Sequence, residues 1–106
     1  MSEFAYLDTL FAEIEKRRAA DPTESYTAQL LADVPRVSRK LGEEAVETVV
    51  AALSGNDQEL LSEMADLTYH LLALLAARGL TPEQVITVLQ ARQGVSGLAE
   101  KAARQE

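Results

Sequence analysis

Four acidic residues on two neighbouring segments of the chain have a spacing typical of a metal site. Glu44 and Glu47 lie three residues apart, and Glu63 and Asp66 repeat this spacing beyond a break at Gly55. Helices joined by such a tight break run antiparallel, so residue 44 is expected opposite residue 66, and residue 47 opposite residue 63. The two pairs then lie about 4.5 Å apart along the helix axes. The sequence therefore predicts four carboxylates gathered at one place on a helical hairpin.

This carboxylate cluster predicts a site for Mg²⁺ or, alternatively, Mn²⁺. Oxygen ligands without histidine or cysteine suit these hard cations better than Zn²⁺. The other explanation is a solvated acidic face, which is the usual reason for acidic residues at helical spacing. A metal site is favoured because the second helix is apolar around its carboxylates, and buried carboxylates repel one another without a compensating cation. The apolar residues around Glu63 and Asp66 are Leu60, Leu61, Met64, Leu67, Leu71, Leu72, Leu74 and Leu75.

Basic side chains continue the same helix face beyond the cluster. Lys40 lies one turn before Glu44, and Arg36 lies one turn before Lys40. This order suits a nucleoside polyphosphate that bridges to cations at the carboxylates and reaches these basic groups. For Lys40, an ordinary ion pair with Glu44 explains the spacing equally well. Glu43 is rotated by about 100° from Glu44, so it either ligates a second ion, orients the attacking water or is simply exposed.

The single histidine is predicted to be structural. His70 lies one turn after Asp66, and a lone histidine in such a position is more often hydrogen-bonded in the core than a ligand or base. A carboxylate-bridged di-iron site would need Glu-x-x-His pairs, but Asp66 stands three residues after Glu63. That class of protein is therefore excluded.

The elements that position these residues are all helices, because apolar residues recur at helical spacing throughout the chain. Asp33 and Asn56 are predicted to cap the two long helices, and Gly79 is predicted to end the second. The predicted helices cover residues 4–18, 25–32, 33–54, 57–79 and 82–93, with a further helical stretch up to residue 104. The expected fold is an all-α small helical bundle built on an antiparallel hairpin, in a single domain of residues 1–106. The helix over 57–79 is apolar nearly all round, so we expect oligomerisation, as a dimer or a dimer of dimers, to complete the bundle.

Charge and composition narrow the expected partners and compartment. Ten Lys and Arg against 17 Asp and Glu give a net charge of -7, which disfavours nucleic acid and anionic membranes as partners. The chain has no cysteine, which excludes thiolate chemistry and is typical of a reducing compartment. The longest uninterrupted apolar stretch, residues 71–77, falls short of the roughly 20 residues of a membrane span. We expect a cytoplasmic protein.

Several motifs resemble a known family. Glu-Glu-x-x-Glu at 43–47 followed by Glu-x-x-Asp at 63–66 is similar to the signature of the all-α nucleoside triphosphate pyrophosphatase (MazG-like) superfamily. Five further segments resemble the phosphoribosyl-ATP pyrophosphatase family within it, over about residues 4–104. These are Ser-Tyr-Thr-Ala at 25–28, Lys-Leu-Gly-Glu-Glu-Ala at 40–45, Ala-Asp-Leu-Thr-Tyr-His-Leu-Leu at 65–72, Ala-Arg-Gly-Leu at 77–80 and Ser-Gly-Leu-Ala-Glu-Lys-Ala at 96–102. One departure is Gln93, where the family commonly has histidine.

The resemblance implies an Mg²⁺-dependent hydrolase that converts phosphoribosyl-ATP to phosphoribosyl-AMP and pyrophosphate in histidine biosynthesis. The implied catalytic residues are Glu43, Glu44 and Glu47, and the implied metal ligands are Glu44, Glu47, Glu63 and Asp66. The implied substrate contacts are Ser25, Tyr26, Arg36, Lys40, Arg92, Ser96 and Lys101. From the residues alone, capping, packing or surface pairing explains Ser25, Tyr26, Arg92, Ser96 and Lys101 equally well, with an N-cap as the alternative for Ser96. Two other functions remain open, a house-cleaning (d)NTP pyrophosphatase and a non-catalytic helical interaction module.

Overall fold

The computed structural model describes residues 3–94 and 97–104, and over these residues the chain is helical with no strand. The helices are α1 (Tyr6–Lys16), α2 (Tyr26–Leu31), α3 (Val34–Ser54), α4 (Asp57–Ala77), α5 (Pro82–Ala91) and α6 (Gly97–Arg104). Short 3-10 turns precede and follow α1, at Glu3–Ala5 and Arg17–Ala19. The predicted all-α fold is confirmed, and the predicted helices agree with these bounds to within a few residues.

The turn between α3 and α4 is built from local hydrogen bonds. The Gly55 N–H closes α3 by donating to the Ala51 carbonyl at 2.9 Å. The Asn56 side chain then opens α4 by accepting from the Glu59 N–H at 2.8 Å, and its amide donates to the Glu59 carboxylate at 3.3 Å. The first of these bonds satisfies one of the backbone donors that the first turn of a helix leaves unpaired. The tight turn makes α3 and α4 an antiparallel hairpin, as predicted.

The end of α4 is also set locally. Gly79 adopts a φ of 71°, a left-handed conformation that costs glycine no steric energy. The Leu80 N–H donates to the Leu75 carbonyl at 2.8 Å, and the Gly79 N–H donates to the Ala76 carbonyl at 3.1 Å. These two bonds form a Schellman motif, which turns the chain out of α4 toward α5.

The core lies at the end of the hairpin away from the Gly55 turn. There α1 and α2 pack against α4, and α2 also packs against α3. Two groups of buried apolar side chains fill this end, one of Ile14, Leu31, Leu72 and Ala76, and one of Leu30, Val37 and Ala73. The end near Gly55 lacks this cover, and the helices α5 and α6 make only sparse contacts with the other described helices.

Large apolar side chains are therefore exposed on this single chain. They lie on α3, α4 and α5, and include Val46, Val49, Val50, Leu53, Leu61, Met64, Leu71, Val85, Ile86, Val88 and Leu89. On one chain α4 is apolar but not buried all round, because no described element covers Leu61, Met64 and Leu71. Oligomerisation stays a prediction.

One described helix, α4, is long and apolar enough to cross a membrane by length and composition alone, with a window of mean hydropathy 1.3. A single helix of this kind is weak evidence for a membrane span, since the core helix of a bundle has the same composition. The uninterrupted apolar run at 71–77 is shorter than the helix because Glu63, Asp66 and His70 divide α4. In this fold α4 packs against α1, α2 and α3.

Candidate active site

Three carboxylates meet between α3 and α4. One carboxylate oxygen from each of Glu44, Glu63 and Asp66 lies within 4.8 Å of the others, an arrangement that could hold a metal ion. Glu44 comes from α3, whereas Glu63 and Asp66 come from α4. Glu44 is 8% exposed, Glu63 is half-buried, and Asp66 is exposed. The antiparallel hairpin thus brings together these three of the four predicted ligands.

Glu47, the fourth predicted ligand, adjoins this group from its exposed side. It is not one of the three mutually close carboxylates, but, after burial, its charge is the next cause that raises the pKa of both Glu44 and Glu63. Glu47 and Glu63 also line a cavity of about 290 Å³ that extends toward Glu59 and the hairpin turn. Glu47 is therefore close enough to interact with the cluster while remaining accessible to solvent.

The electrostatics of the cluster favour a bound cation. Burial is the main cause that raises the pKa of Glu44, and repulsion from Glu47 and Asp66 adds to it. Burial likewise raises the pKa of Glu63. Glu44 Oε2 and Glu63 Oε1 are buried without any hydrogen-bond partner among the residues that the structure describes. An unpaired buried carboxylate oxygen is costly, and an oxygen-only donor set fits a hard divalent ion such as Mg²⁺ or Mn²⁺.

Two basic side chains of α3, Arg39 and Lys40, pair with Glu43 beside the cluster. Lys40 Nζ lies 3.2 Å from Glu43 Oε1, and Arg39 Nε lies 3.6 Å from Glu43 Oε2. The hydrogen bond from Lys40 to Glu43 is the main cause that raises the pKa of Lys40. The alternative of a Lys40 pair with Glu44 is therefore wrong, because the i,i+3 partner takes the ammonium. The half-buried Arg36 has no ion pair within the described ranges.

His70 links Tyr26 of α2 to the backbone of Asp66 in α4 by two hydrogen bonds. The Tyr26 hydroxyl lies 2.8 Å from His70 Nε2, and His70 Nδ1 lies 2.8 Å from the backbone carbonyl oxygen of Asp66. His70 is 6% exposed, so its predicted role as a hydrogen-bonded core residue is confirmed. The Ser25 hydroxyl accepts from the Ala28 N–H at 3.1 Å, which makes Ser25 the N-cap of α2.

Three of the residues with an implied substrate role lie in the C-terminal part of the chain. Arg92 caps the C-terminal end of α5, and Lys101 is exposed in the last turn of α6. Their helices make few contacts with α3 and α4. Ser96 lies outside the described residues.

Sequence reasoning missed two hydroxyl contacts that support the site. The Thr48 hydroxyl donates to the Glu44 carbonyl at 2.8 Å and lies 3.4 Å from the Glu63 carbonyl on α4. The Tyr69 hydroxyl shares a hydrogen bond with Thr27 of α2. The position of Thr48, one turn after Glu44 on the face toward α4, could have indicated the first contact. Nothing in the sequence pairs Tyr69 with Thr27, because the contact depends on how α2 packs against α4.

Comparisons with known proteins match the chain to a family model and to relatives of the same name. Residues 7–93 match the family model described as phosphoribosyl-ATP pyrophosphohydrolase. A relative from Erythrobacter litoralis, named phosphoribosyl-ATP pyrophosphatase, is 54% identical over 99 residues, or 92% of this chain and 95% of the relative. Relatives of the same name from Caulobacter vibrioides and Parvibaculum lavamentivorans are each 53% identical. The match to the relative from Caulobacter vibrioides covers 92% of this chain and 92% of that relative. The match to the relative from Parvibaculum lavamentivorans covers 99% of this chain and 97% of that relative.

Proposed function

The chain belongs to the phosphoribosyl-ATP pyrophosphohydrolase family, and we propose that it carries out that family's reaction with a divalent cation held by the carboxylate cluster. It hydrolyses phosphoribosyl-ATP to phosphoribosyl-AMP and pyrophosphate, a step of histidine biosynthesis. The observation that carries the proposed metal site is the pair of buried oxygens, Glu44 Oε2 and Glu63 Oε1, that lack a hydrogen-bond partner in the described part of the chain.

We assign Mg²⁺, with Mn²⁺ as a substitute, to the ligands Glu44, Glu47, Glu63 and Asp66. Support comes from the closeness of three of these carboxylates and from the raised pKa values of Glu44 and Glu63, which reflect burial and mutual repulsion. When bound, the cation supplies positive charge to offset the triphosphate and activates water for attack on phosphorus. The protein's part is to hold these oxygens in place before the substrate arrives.

The basic residues of α3 are assigned to the phosphates. Lys40 and Arg36 would stabilise the leaving pyrophosphate, since developing negative charge is best met by groups already in position. Glu43 holds the Lys40 ammonium at 3.2 Å, one residue away from the buried Glu44. We propose that Glu43 orients either this ammonium or the attacking water, which keeps it among the catalytic residues with Glu44 and Glu47.

The remaining substrate contacts are proposed from the family resemblance. Tyr26 has direct support, because its hydroxyl is hydrogen-bonded to His70 next to the cluster. Ser25 supports the position of Tyr26 as the N-cap of α2. Arg92, Ser96 and Lys101 would approach the substrate from the C-terminal segment.

We also propose that the working form is a homo-oligomer in the cytoplasm, most simply a two-fold dimer. The exposed apolar residues of α3, α4 and α5 would form the contact between copies, because patches of this kind on small helical proteins mark interaction sites. The absence of cysteine agrees with a reducing compartment.

A substrate panel tests the function. Phosphoribosyl-ATP, ATP and common dNTPs are supplied with Mg²⁺, and pyrophosphate and orthophosphate are measured separately. We expect pyrophosphate from phosphoribosyl-ATP and little from the other nucleotides. The Glu63→Gln variant, purified in parallel, controls for contaminating host enzymes.

Three results would contradict this function. Faster turnover of a dNTP would indicate a house-cleaning pyrophosphatase that uses the same carboxylates. Orthophosphate as the first product would mean that a different phosphoanhydride bond is broken. A protein that binds neither divalent cations nor nucleotides would instead support a non-catalytic helical module.

A further inference from the structure

A cavity of about 290 Å³ opens beside the carboxylate cluster, on the side of the Gly55 turn. Two of the proposed metal ligands, Glu47 and Glu63, line it, so a group that occupies the cavity lies next to the bound cation. Glu59 is the third carboxylate of the lining, and Ser54 adds a hydroxyl. The rest of the lining is apolar and comes from α3, through Val46, Val50 and Ala51. The cavity therefore suits a group that is apolar, or positively charged, or both.

The sign of the charge changes along the hairpin from one side of the cluster to the other. Lys40 lies seven residues before Glu47 on α3, and Ser54 lies seven residues after it, so each is about 10 Å from Glu47 along the helix axis. The basic side is assigned to the phosphates, which the acidic cavity repels. A substrate that is cleaved at the cation has its leaving pyrophosphate on one side of the broken bond and its nucleoside on the other. With the pyrophosphate at Lys40, the nucleoside is directed toward the cavity.

The adenine ring of phosphoribosyl-ATP differs in charge from the adenine ring of ATP. Its second ribose is attached at ring nitrogen N1, and an adenine substituted at N1 is a much stronger base than adenine itself. The substituted ring holds a proton at neutral pH and is a cation, whereas the ring of ATP is neutral. A flat, cationic ring complements a cavity that has carboxylates on one side and valine side chains on the other.

We propose that this cavity is the subsite for the cationic, N1-substituted adenine ring, and that Glu59 is a specificity-determining residue that favours this ring over the neutral adenine of ATP. This inference rests on the proposed function, because it takes the leaving pyrophosphate to lie at Lys40. Glu47 and Glu63 are assigned to the metal ion, which offsets their charge. Glu59 is the carboxylate of the cavity that lies outside the proposed ligand set.

Local contacts hold the Glu59 carboxylate at the hairpin turn. Its Oε1 lies 3.3 Å from the amide nitrogen of Asn56, and Glu59 takes part in none of the ion pairs between described side chains. A Cβ at position 55 would lie 2.9 Å from Glu59 Oε2 and 3.0 Å from the Ala51 carbonyl oxygen. The φ of Gly55 is -96°, which any residue can adopt, so glycine is required here for space. The turn thus places an unneutralised negative charge at the cavity.

The test uses three nucleoside monophosphates that share the phosphate and differ in the ring. In 1-methyl-AMP the ring is a cation, N6-methyl-AMP carries the same methyl group on a neutral ring, and AMP has neither the methyl group nor the charge. Their dissociation constants are measured by calorimetry at neutral pH with saturating Mg²⁺. The parent should bind 1-methyl-AMP about two- to fivefold more tightly than N6-methyl-AMP, which is the effect of a solvent-exposed charge pair. AMP should bind like N6-methyl-AMP.

Substitutions at Glu59 should remove this preference. Glu59→Gln keeps an acceptor oxygen for Asn56 but removes the charge, so it should bind 1-methyl-AMP and N6-methyl-AMP about equally. Glu59→Lys should reverse the preference. Glu13→Gln removes an exposed carboxylate of α1 and should bind all three nucleotides as the parent does. Melting temperatures show that each variant is folded.

Kinetics connect the subsite to the substrate. Glu59→Gln should raise KM for phosphoribosyl-ATP by about two- to fivefold with little change in kcat, because Glu59 does not touch the reacting atoms. The inhibition constant of ATP should stay unchanged, so the discrimination between the two nucleotides becomes smaller. A parent that releases no pyrophosphate would contradict the proposed function, whereas the ratios of dissociation constants test the adenine subsite separately.

Any of three outcomes would overturn the inference. Equal affinity of the parent for 1-methyl-AMP and N6-methyl-AMP would mean that the cavity does not distinguish the charge of the ring. A preference that persists unchanged in Glu59→Gln would place the ring elsewhere. Weaker binding of Mg²⁺ and of all three nucleotides by Glu59→Gln would make Glu59 a metal ligand instead.

Discussion

The hydroxyl of Thr48 on α3 lies 3.4 Å from the backbone carbonyl oxygen of Glu63 on α4. The same hydroxyl donates to the Glu44 carbonyl one turn earlier, at 2.8 Å, so it bridges the backbones of two proposed metal ligands. Thr48 is half-buried between the helices. This contact ties α3 to α4 beside the cluster, in the register that the tight turn at Gly55 sets.

Replacing Thr48 tests the importance of this bridge. Thr48→Val keeps the branched shape but removes the hydroxyl, so it should lower the free energy of unfolding by about 1 kcal/mol. It should also reduce the rise in melting temperature on adding Mg²⁺, because the carboxylates would be held less firmly. Thr48→Ser keeps the hydroxyl and is the control. Equal melting temperatures of Thr48→Val and the parent, with and without Mg²⁺, would show that the bridge contributes nothing.

Most of the fold was predictable because local contacts set its boundaries. Asp33 accepts from the Arg36 N–H at 3.0 Å, Asn56 accepts from the Glu59 N–H, and Gly79 ends α4. Each contact joins residues no more than a few positions apart, so the sequence displays it directly. The contact of Arg18 with the Ala76 carbonyl, at 2.7 Å, spans most of the chain and depends on how α1 packs against α4. No sequence pattern indicates it.

The positions of the carboxylates were predictable because antiparallel helix geometry sets which residues face each other. The partner of Lys40 was not predictable, because side-chain rotamers choose between two acidic neighbours. The tight turn at Gly55 was sufficient to place Glu44 near Asp66. For Lys40, both the i,i+3 and the i,i+4 acids are within reach on a helix, and spacing cannot choose between them. The structure selects Glu43. The C-terminal residues with implied substrate roles could not be placed from spacing either, because α5 and α6 make only sparse contacts with the hairpin.

Neutralising one ligand should separate a metal site from a buried ion pair. Glu63→Gln removes one of several converging negative charges, so in EDTA it should melt at the same or a higher temperature than the parent. It should lose most of the stabilisation that Mg²⁺ gives the parent by mass action, and its activity should fall by orders of magnitude. Thermal scans with EDTA and with Mg²⁺ measure the first two effects.

Glu13→Gln is the matched control for this substitution. Glu13 forms an exposed pair with Lys16 at 3.3 Å, far along the chain from the cluster, and such pairs contribute little. This variant should retain the Mg²⁺ response and the activity. If Glu63→Gln were clearly destabilised in EDTA and still active, Glu63 would be the buried partner of a basic group, and the metal site would be wrong.

The metal-free protein should become more stable as the pH falls from the neutral range toward that of an ordinary carboxyl group. Burial raises the folded-state pKa of Glu44 and Glu63, so the folded state holds these protons more tightly than the unfolded state. Their contribution to stability is present at low pH and is lost as the pH rises through the raised pKa values. Saturating Mg²⁺ should flatten or reverse this dependence, because it binds the ionised carboxylates.

Melting temperatures across this pH range, with and without Mg²⁺, provide the measurement. Glu63→Gln should show a weaker pH dependence than the parent in the absence of metal. Asp21 serves as an internal contrast, because hydrogen bonds from Thr23 lower its pKa and its stabilisation is lost only as the pH falls further. A metal-free parent that loses stability steadily as the pH falls over this range would contradict the expected direction of this dependence.

The apolar stripe on α3 should be the contact between two copies of the chain. Val46, Val49, Val50 and Leu53 recur at three and four residues, so they share one helix face, and all four are exposed. We expect the parent to sediment above the 11.5 kDa of one chain at micromolar concentration. Val49→Glu places a charge on the stripe without lowering helix propensity, so it should shift the protein toward monomer and lower its melting temperature. Ala12→Glu adds the same charge at an exposed position of α1, away from the stripe, and should sediment like the parent. A parent that is a stable monomer would contradict the dimer and leave the stripe without a partner.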